Sequence, residues 1–547
     1  MSVSFPLMSM RKCLPLLLFV GPMLPAALPS LLGAQTLGTL TGRVLTADGS
    51  VAQDARVRIM ALGRRVAVNE SGLFLFEDVP SGSYLVEAES PRFGHSVERF
   101  RVLAGQTISV LLELDPLFQL DELVVSAGSH PARRSETYQP TSALTGWDLV
   151  RDAEASLGET LAESPGVTAS YNGPGSSRPI IRGLGGDRVR ILEGGVGSGD
   201  VSSQGPDHAV GIEPVSAERI EIVRGPASLL YGSGAMGGVV NVIDNRIPRE
   251  IPDRPLTGSV MGLGGTVADE RTGAFELNGG SGALAFHLSG LRRKTGDYSI
   301  PGYAEHEHAG EEAPEEDEPF GILPNSAVET ERGAIGASWV GRNGFFGASL
   351  SGLNNDYGVP GHAHGHEGEP GTEEEEGVVI GLEQRRFDAE GTWRFSEGLV
   401  RAIRGRFGAA DYQHTEFEGT EVGTRFTNEQ WEGRLEVEHH GAEPLSGSVG
   451  VQLGARSFEA KGEEAYVPPS EKTNFSAFLF QELERETLRF QVGSRVEAQW
   501  AEALPTSTEK TDWGFSVSGG MNWSILEDLS LALTAARSQR LPSLEEL

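Results

Sequence analysis

From about Pro255 onward the chain alternates apolar with small or polar residues in short segments, and no long unbroken apolar run occurs after residue 34. In "SGSVGVQLGARSF", Val449, Val451 and Leu453 share one face, and in "LSLALTAARS" Leu529, Leu531 and Leu533 do the same. A spanning helix needs roughly 20 consecutive apolar residues. A strand in a closed barrel needs only a dyad pattern over about ten residues. The period therefore predicts transmembrane antiparallel β-strands over residues 255–547, with a soluble β-sandwich or propeller as the alternative reading. Lipid offers no partner to a free strand edge, so such strands are stable only as part of a closed barrel.

The start of the chain fits export. Residues 1–34 carry a basic pair, Arg11 and Lys12, then an apolar stretch ending near Leu32-Gly33-Ala34, as in a secretory signal peptide. Pro15, Pro22, Pro25 and Pro29 make that stretch a poor spanning helix. Cys13 is the single cysteine and lies inside this segment, which excludes disulfides, thiolate metal sites and cysteine nucleophiles from the remainder. The formal charge of −32 argues against nucleic acid or an anionic surface as partner and for cations.

Residues 37–115 read as a small β-sandwich, with short alternating runs separated by turn signals at Asp48-Gly49 and Ser71-Gly72. Gly42, Val44, Asp48, Gly49, Gly72, Phe74, Phe76, Val79, Pro80, Gly82 and Tyr84 stand where the carboxypeptidase-regulatory-like domain has its pattern, and the segment resembles that family. The resemblance implies an accessory module on the periplasmic side, without peptidase chemistry. A junction at 119–130 holds Asp121, Glu122, Leu123, Val124, Val125, Ser126 and Ala127. Locally this is either the first strand of the next domain or an extended peptide that adds to a partner's sheet edge.

Residues 138–247 contain "LGETLAESPGVTAS", "SRPIIRGLGGDRVRILEGG" and "VSAERIEIVRGPASLLYGSGAMGGVVNVID". These blocks closely resemble the plug domain of TonB-dependent outer-membrane receptors. Their "RIEIV" and "VVNVI" runs are expected to be strands of a mixed sheet. A phosphate-loop reading of "RGLGGDR" lacks the required glycine spacing. The resemblance makes 121–127 the TonB box, gripped by the inner-membrane energy transducer. It implies a mainly β fold: the N-terminal β-sandwich, an α+β plug, and a transmembrane β-barrel in outer-membrane lipid enclosing the plug. Receptors of this kind close at about twenty-two strands, whereas 255–547 supplies roughly 12–14 at ordinary strand and loop lengths. The ending "SQRLPSLEEL" resembles an internal barrel segment, so the chain is expected to be C-terminally incomplete.

Two segments carry the chemistry. Residues 303–320, "YAEHEHAGEEAPEEDEPF", hold His306, His308 and eight acids; residues 358–377, "GVPGHAHGHEGEPGTEEEEG", hold His362, His364, His366 and six acids. Neither contains a basic residue. In an extended chain, side chains two apart point the same way, so H-x-H and H-x-H-x-H each aim imidazoles at one ion. Imidazole suits zinc, copper and nickel. The absence of cysteine and methionine from both segments counts against Cu(I), and zinc is the expected ion.

"DYSIPGYAEHEH", "LPNSAVETERGAIGASWVG", "NNDYGVPGHAHGH", "GLEQRRFDAEG" and the plug stretch "GPDHAVGIEPV" resemble the zinc-uptake, ZnuD-like branch of these receptors. The resemblance implies a lumen-facing metal site at Asp207 and His208, with Glu383 as a barrel ligand. The expected function is import of a divalent transition metal into the periplasm, with zinc as cargo and no prosthetic group. Two alternatives remain: a receptor for a metal chelate such as a siderophore or vitamin, and a surface adhesin with metal-stabilised loops. No arrangement of catalytic residues is evident, so an enzyme is not expected.

Overall fold

The computed structural model describes residues 37–544 and 546, apart from 47–48, 54, 63, 91–93, 115–122, 125–131, 134–137, 226, 253, 305–318, 362–376, 396–397, 441–444, 463–464, 486, 505, 507 and 527–528. The expected signal segment 1–34 lies outside the described residues. So do His306, His308, His362, His364, His366, Asp121, Glu122, Val125, Ser126 and Ala127.

Seven strands open the described chain: β1 (Leu37–Thr46), β2 (Arg56–Ile59), β3 (Arg64–Ala67), β4 (Leu73–Pro80), β5 (Gly82–Ser90), β6 (Gly94–Val102) and β7 (Thr107–Leu114). They form a three-stranded sheet, β4-β1-β7, and a four-stranded sheet, β3-β2-β5-β6. Alternation along β1 and β4 sends Leu40, Val44, Phe74 and Phe76 to a core shared with Val57 and Val86. After it, β8 (Leu123–Val124) pairs antiparallel with β9 (Ala132–Arg133).

The plug comprises β10 (Thr141–Thr145), α1 (Gly146–Asp152), α2 (Leu157–Leu161), β11 (Val167–Tyr171), β12 (Ser177–Ile181), β13 (Val189–Glu193), β14 (Val196–Gly197), β15 (Arg219–Arg224), α3 (Ser228–Tyr231) and β16 (Gly238–Ile243). Its five-stranded sheet runs β10-β15-β16-β13-β14, parallel only between β13 and β16, so it is mixed as the sequence implies. Every residue of β16 is buried. Ile220 and Ile222 of β15 and Val240 and Val242 of β16 pack with Leu157 and Leu161 of α2 into one core.

Beyond the plug come β17 (Leu256–Gly265), β18 (Glu270–Ser281), β19 (Leu284–Lys294), β20 (Tyr298–Tyr303), β21 (Phe320–Leu323), β22 (Val328–Gly341) and β23 (Gly344–Gly358). They are followed by β24 (Val378–Arg394), β25 (Val400–Glu418), β26 (Glu421–His440), β27 (Leu445–Gly462), β28 (Ser470–Arg485), β29 (Leu488–Ala503), β30 (Thr508–Leu526) and β31 (Leu529–Arg537). All but β20 and β21, which pair with each other, join one thirteen-stranded antiparallel sheet. Its end strands, β17 and β31, are not paired with each other among the described residues.

The period-2 pattern decides which side chain faces where. Val449, Val451 and Leu453 are exposed on the outer face, while Ser448 and Gln452 are buried inside. Near the short turns Trp339 and Trp393 stack on the outer face, 6.1 Å between rings. Toward the other end Phe387, Phe407 and Trp431 form a second aromatic row. Such girdles bound an outward apolar band in barrels that cross lipid. Charged and amide side chains of the inner face grip the plug, and at Gly199 (φ +79°) a Cβ would lie 2.5 Å from the Ala410 methyl. Only glycine tolerates both that conformation and that approach.

Candidate metal centre

The plug segment from Ser198 to Glu213 has no regular secondary structure, and its backbone is held from outside. Arg386 of β24 donates from one guanidinium nitrogen to the carbonyls of Gly197 (2.8 Å) and Ser198 (2.9 Å). Gln384 donates to Ser198 O at 3.0 Å, and Asn428 of β26 to Gly199 O at 2.8 Å. Asp200 cinches the loop, one carboxylate oxygen accepting from Ser202 N and the other from Gly211 N at 3.2 Å. Inside this closed loop the chain presents Asp207 and His208.

His208 meets two side chains that the sequence did not single out. Residues 412, 414 and 416 lie on one face of β25, and that face points inward. His208 Nε2 lies 3.3 Å from Glu416 Oε1, and His414 Nε2 lies 3.4 Å from the same oxygen. The three donor atoms fall within 4.8 Å of one another. The side chains of His208, His414 and Glu416 are 3%, 0% and 7% exposed, so water does not separate them. His414 Nε2 and Glu416 Oε1 are buried yet make no hydrogen bond, although they stand in contact. Buried polar atoms are rarely left so. An ion shared by the three donors would satisfy both atoms. A tetrahedral zinc with bonds of ~2.0–2.1 Å has its donor atoms about 3.3 Å apart.

The surroundings are apolar and aromatic. The imidazoles of His208 and His414 meet edge to face at 4.3 Å, and the Phe426 ring lies 4.9 Å and 4.6 Å from them. His208 Nδ1 lies 3.3 Å from Val201 O, and His414 Nδ1 lies 3.0 Å from the Tyr412 hydroxyl. Both rings are thus engaged through Nδ1, which leaves Nε2 for the shared point.

Asp207 Oδ1 is 4.0 Å from His208 Nε2, the nearest further carboxylate. Glu383 is not brought to this site: it is exposed on the outer face of β24, between the buried Leu382 and Gln384. Strand parity is the reason, since a residue one position from an inward side chain points outward. The histidines of the two acidic segments lie outside the described residues, but the bases of those segments are defined. Tyr303 and Phe320 pack ring to ring at 5.0 Å across the first. Asn325 donates to Val359 O (3.1 Å) and Val378 O (2.8 Å) across the second. Val359 and Val378 belong to the same apolar cluster as Val201, Ala209, Tyr412 and Phe426 around the metal-capable trio. His414 and Glu416 had one sequence signal, the H-x-E spacing of "HTEF" in an alternating strand. That pattern is too common to distinguish without knowing which parity faces the plug.

Residues 133–239 match the family described as TonB-dependent Receptor Plug Domain, and residues 39–115 match the carboxypeptidase regulatory-like domain. The fold is similar to that of "Copper transporter OprC", with a TM-score of 0.61 and 15% identity over 75% of this chain and 64% of that one. It is also similar to the FrpB iron transporter from Neisseria meningitidis, with a TM-score of 0.58 and 13% identity over 74% of this chain and 65% of that one. The ferric-catecholate import receptor Fiu from E. coli K12 gives a TM-score of 0.56 and 14% identity over 78% and 73%. The chain spans somewhat less than two thirds of the copper and iron transporters' lengths. In its plug domain and its strand architecture the chain has the fold of a TonB-dependent receptor, preceded by a carboxypeptidase regulatory-like domain.

Proposed function

We propose that the protein is an outer-membrane importer of a divalent transition metal, zinc first, driven by a TonB-type transducer acting on residues 121–127. The observation that carries this reading is the convergence of His208, His414 and Glu416 in a buried setting, with both imidazole Nε2 atoms 3.3–3.4 Å from one Glu416 oxygen and all three donors within 4.8 Å of one another. Two imidazoles and a carboxylate suit zinc, with Cu(II) and Ni(II) as competitors, and no sulfur ligand is present to favour Cu(I). Phe426 and Tyr412 pack directly against the trio's imidazoles, which supports a bare ion over an organic chelate as cargo.

The division of ligands gives a route to release. His208 belongs to the plug, whereas His414 and Glu416 belong to a barrel strand. Movement of the plug loop by a few ångströms removes one ligand of three and lets the ion go. The acidic histidine segments 303–320 and 358–377 would concentrate cations at the mouth by their charge. Val359 and Val378, which flank the histidines and acids of the second, belong to the apolar cluster that surrounds the site. In this reading the chain binds and moves its cargo, and no covalent step is required.

Uptake of labelled zinc by cells producing the protein, with and without proton-motive force, tests the proposal. Saturable, energy-dependent uptake that unlabelled zinc suppresses, and that His208→Ala or Glu416→Gln abolishes, supports it. No uptake despite outer-membrane assembly would overturn it in favour of chelate import. Stronger suppression by copper or nickel than by zinc would reassign the cargo.

A further inference from the structure

Two tyrosines of the barrel wall touch this centre without being placed to ligate through it, and both are almost wholly buried: Tyr357 is 1% exposed and Tyr412 0%. Burying a phenol is unfavourable unless its hydroxyl finds a partner. The partners found here are specific. The Tyr357 hydroxyl accepts from Ala209 N at 2.9 Å and donates to Asp207 O at 3.0 Å. Those are the backbone groups on either side of His208. One side chain of β23 therefore holds the plug backbone before and after the plug's ligand.

The Tyr412 hydroxyl is engaged instead with the barrel's ligand. It lies 3.0 Å from His414 Nδ1. An imidazole that donates its Nδ1–H to an oxygen keeps its Nε2 lone pair free, which is the tautomer a metal needs. In the opposite tautomer the hydroxyl donates to Nδ1 and the Nε2 proton faces the Glu416 carboxylate, so a bound ion displaces that proton and the hydroxyl turns to accept.

Resting on the metal reading above, we propose that Tyr357 and Tyr412 are positioning residues. Tyr357 registers His208 of the plug against the barrel's two ligands, and Tyr412 fixes the His414 ring through Nδ1, accepting its proton when Nε2 takes the ion. Neither coordinates the ion. Their loss weakens binding through the histidines they orient.

The test uses the full chain in detergent micelles, with Zn2+ alone as ligand, comparing wild type, Tyr357→Phe, Tyr412→Phe and His208→Ala. Each phenylalanine keeps the ring and removes only the hydroxyl. The expected result is a zinc affinity about 10- to 100-fold weaker in each phenylalanine variant, the range found for partners that orient metal ligands. The metal-free melting temperature should stay at the wild-type value. Loaded with Co2+, Tyr412→Phe should change the visible d–d spectrum, a readout that general loosening of the fold does not produce. Unchanged affinity and spectrum would overturn the assignment. A phenylalanine variant that fails to fold, or whose lost affinity only follows a lowered metal-free melting temperature with the Co2+ spectrum intact, would also overturn it, making the hydroxyls merely structural. If wild type itself binds no Zn2+ and His208→Ala is indistinguishable from it, the metal reading falls and takes the assignment with it.

Discussion

At the scale of single residues, the space around the centre is set by an absence. A Cβ at Gly205 would lie 2.7 Å from both Asp207 Oδ1 and His208 Nε2. Contacts that short force the imidazole aside, so Gly205→Ala is expected to weaken zinc binding by at least about tenfold, as loss of ligand orientation does elsewhere. Zinc titration of the purified variant measures this, and wild-type affinity would show that the gap is not used. Glu383 gives the opposite expectation. Its outward side chain has no route to His208, so Glu383→Ala should leave zinc affinity unchanged. A marked loss on titration would mean that β24 is registered differently. The pair Asp207-His208 was a candidate because the plug stretch "GPDHAVGIEPV" resembles the zinc-uptake branch of these receptors. His414 and Glu416 were not, because their significance comes from a partner more than two hundred positions away.

At the scale of elements, an ionic cluster joins the plug sheet to the wall beside the loop that carries His208. Glu193 of β13 pairs with Arg246, with Arg332 at 3.0 Å and with Arg386 at 3.3 Å. Asp244 takes Arg246 and Arg332, each at 2.9 Å. Asp388 of β24 takes Arg246 at 3.1 Å and Arg386 at 2.9 Å. Arg386 also holds the carbonyls of Gly197 and Ser198, so one guanidinium links this cluster to the loop that carries His208. Breaking a buried ion pair from one side costs about 3–5 kcal/mol, because the remaining charge stays buried. Glu193→Gln is therefore expected to loosen the plug by that order, seen as faster hydrogen exchange in 189–197 and 238–246. Exchange at the wild-type rate would contradict it.

The same cluster sets a pH window. Burial alone would raise the Glu193 and Asp244 carboxyls, but Arg246 with Arg386 and Arg332 outweighs burial at Glu193, and Arg246 with Arg332 does so at Asp244; both are held below the ordinary carboxylate range. A depressed carboxyl favours the folded state at pH values above its unfolded pKa, and that contribution is lost as pH falls through the folded value. This cluster's contribution to plug docking, read as the difference between wild type and Glu193→Gln, should thus be constant between pH 7 and 5 and begin to weaken only below about pH 4, near the unfolded carboxylate values. Hydrogen exchange or proteolysis across that range decides the matter.

At the scale of the whole molecule, the wall must satisfy two different environments at once. Ile335 and Leu350 face each other across β22 and β23 and are both exposed on the outer surface, between the Trp339 end and the charged end. Arginine on a lipid face near the midplane costs about 2–4 kcal/mol. Ile335→Arg should lower barrel stability in bilayers by that amount while leaving zinc affinity in detergent unchanged. An equal loss in both would argue against lipid on this face. Deleting residues 121–127 separates binding from transport: uptake should vanish while zinc affinity of the purified protein stays at its wild-type value. Uptake that survives would remove the transducer from the mechanism.

The sequence by itself determined the parts whose physics is local. Period-2 alternation was legible in wall segments such as 446–458 and 529–538, the pattern that an apolar outside and a polar interior require. The β-branched runs "RIEIV" and "VVNVI" announced strands, their mixed sheet came with the resemblance to the plug domain, and the alternating N-terminal runs announced a sandwich. Only the tertiary structure decided the centre. Whether residue 383 or its neighbour faces the plug is a matter of strand parity, which pairing fixes. Whether His208 has company depends on β25 lying beside a loop that three side chains of β24 and β26 hold in place. Coordination is a property of points in space, and the residues that meet at this one are ordered along the chain by nothing except the fold.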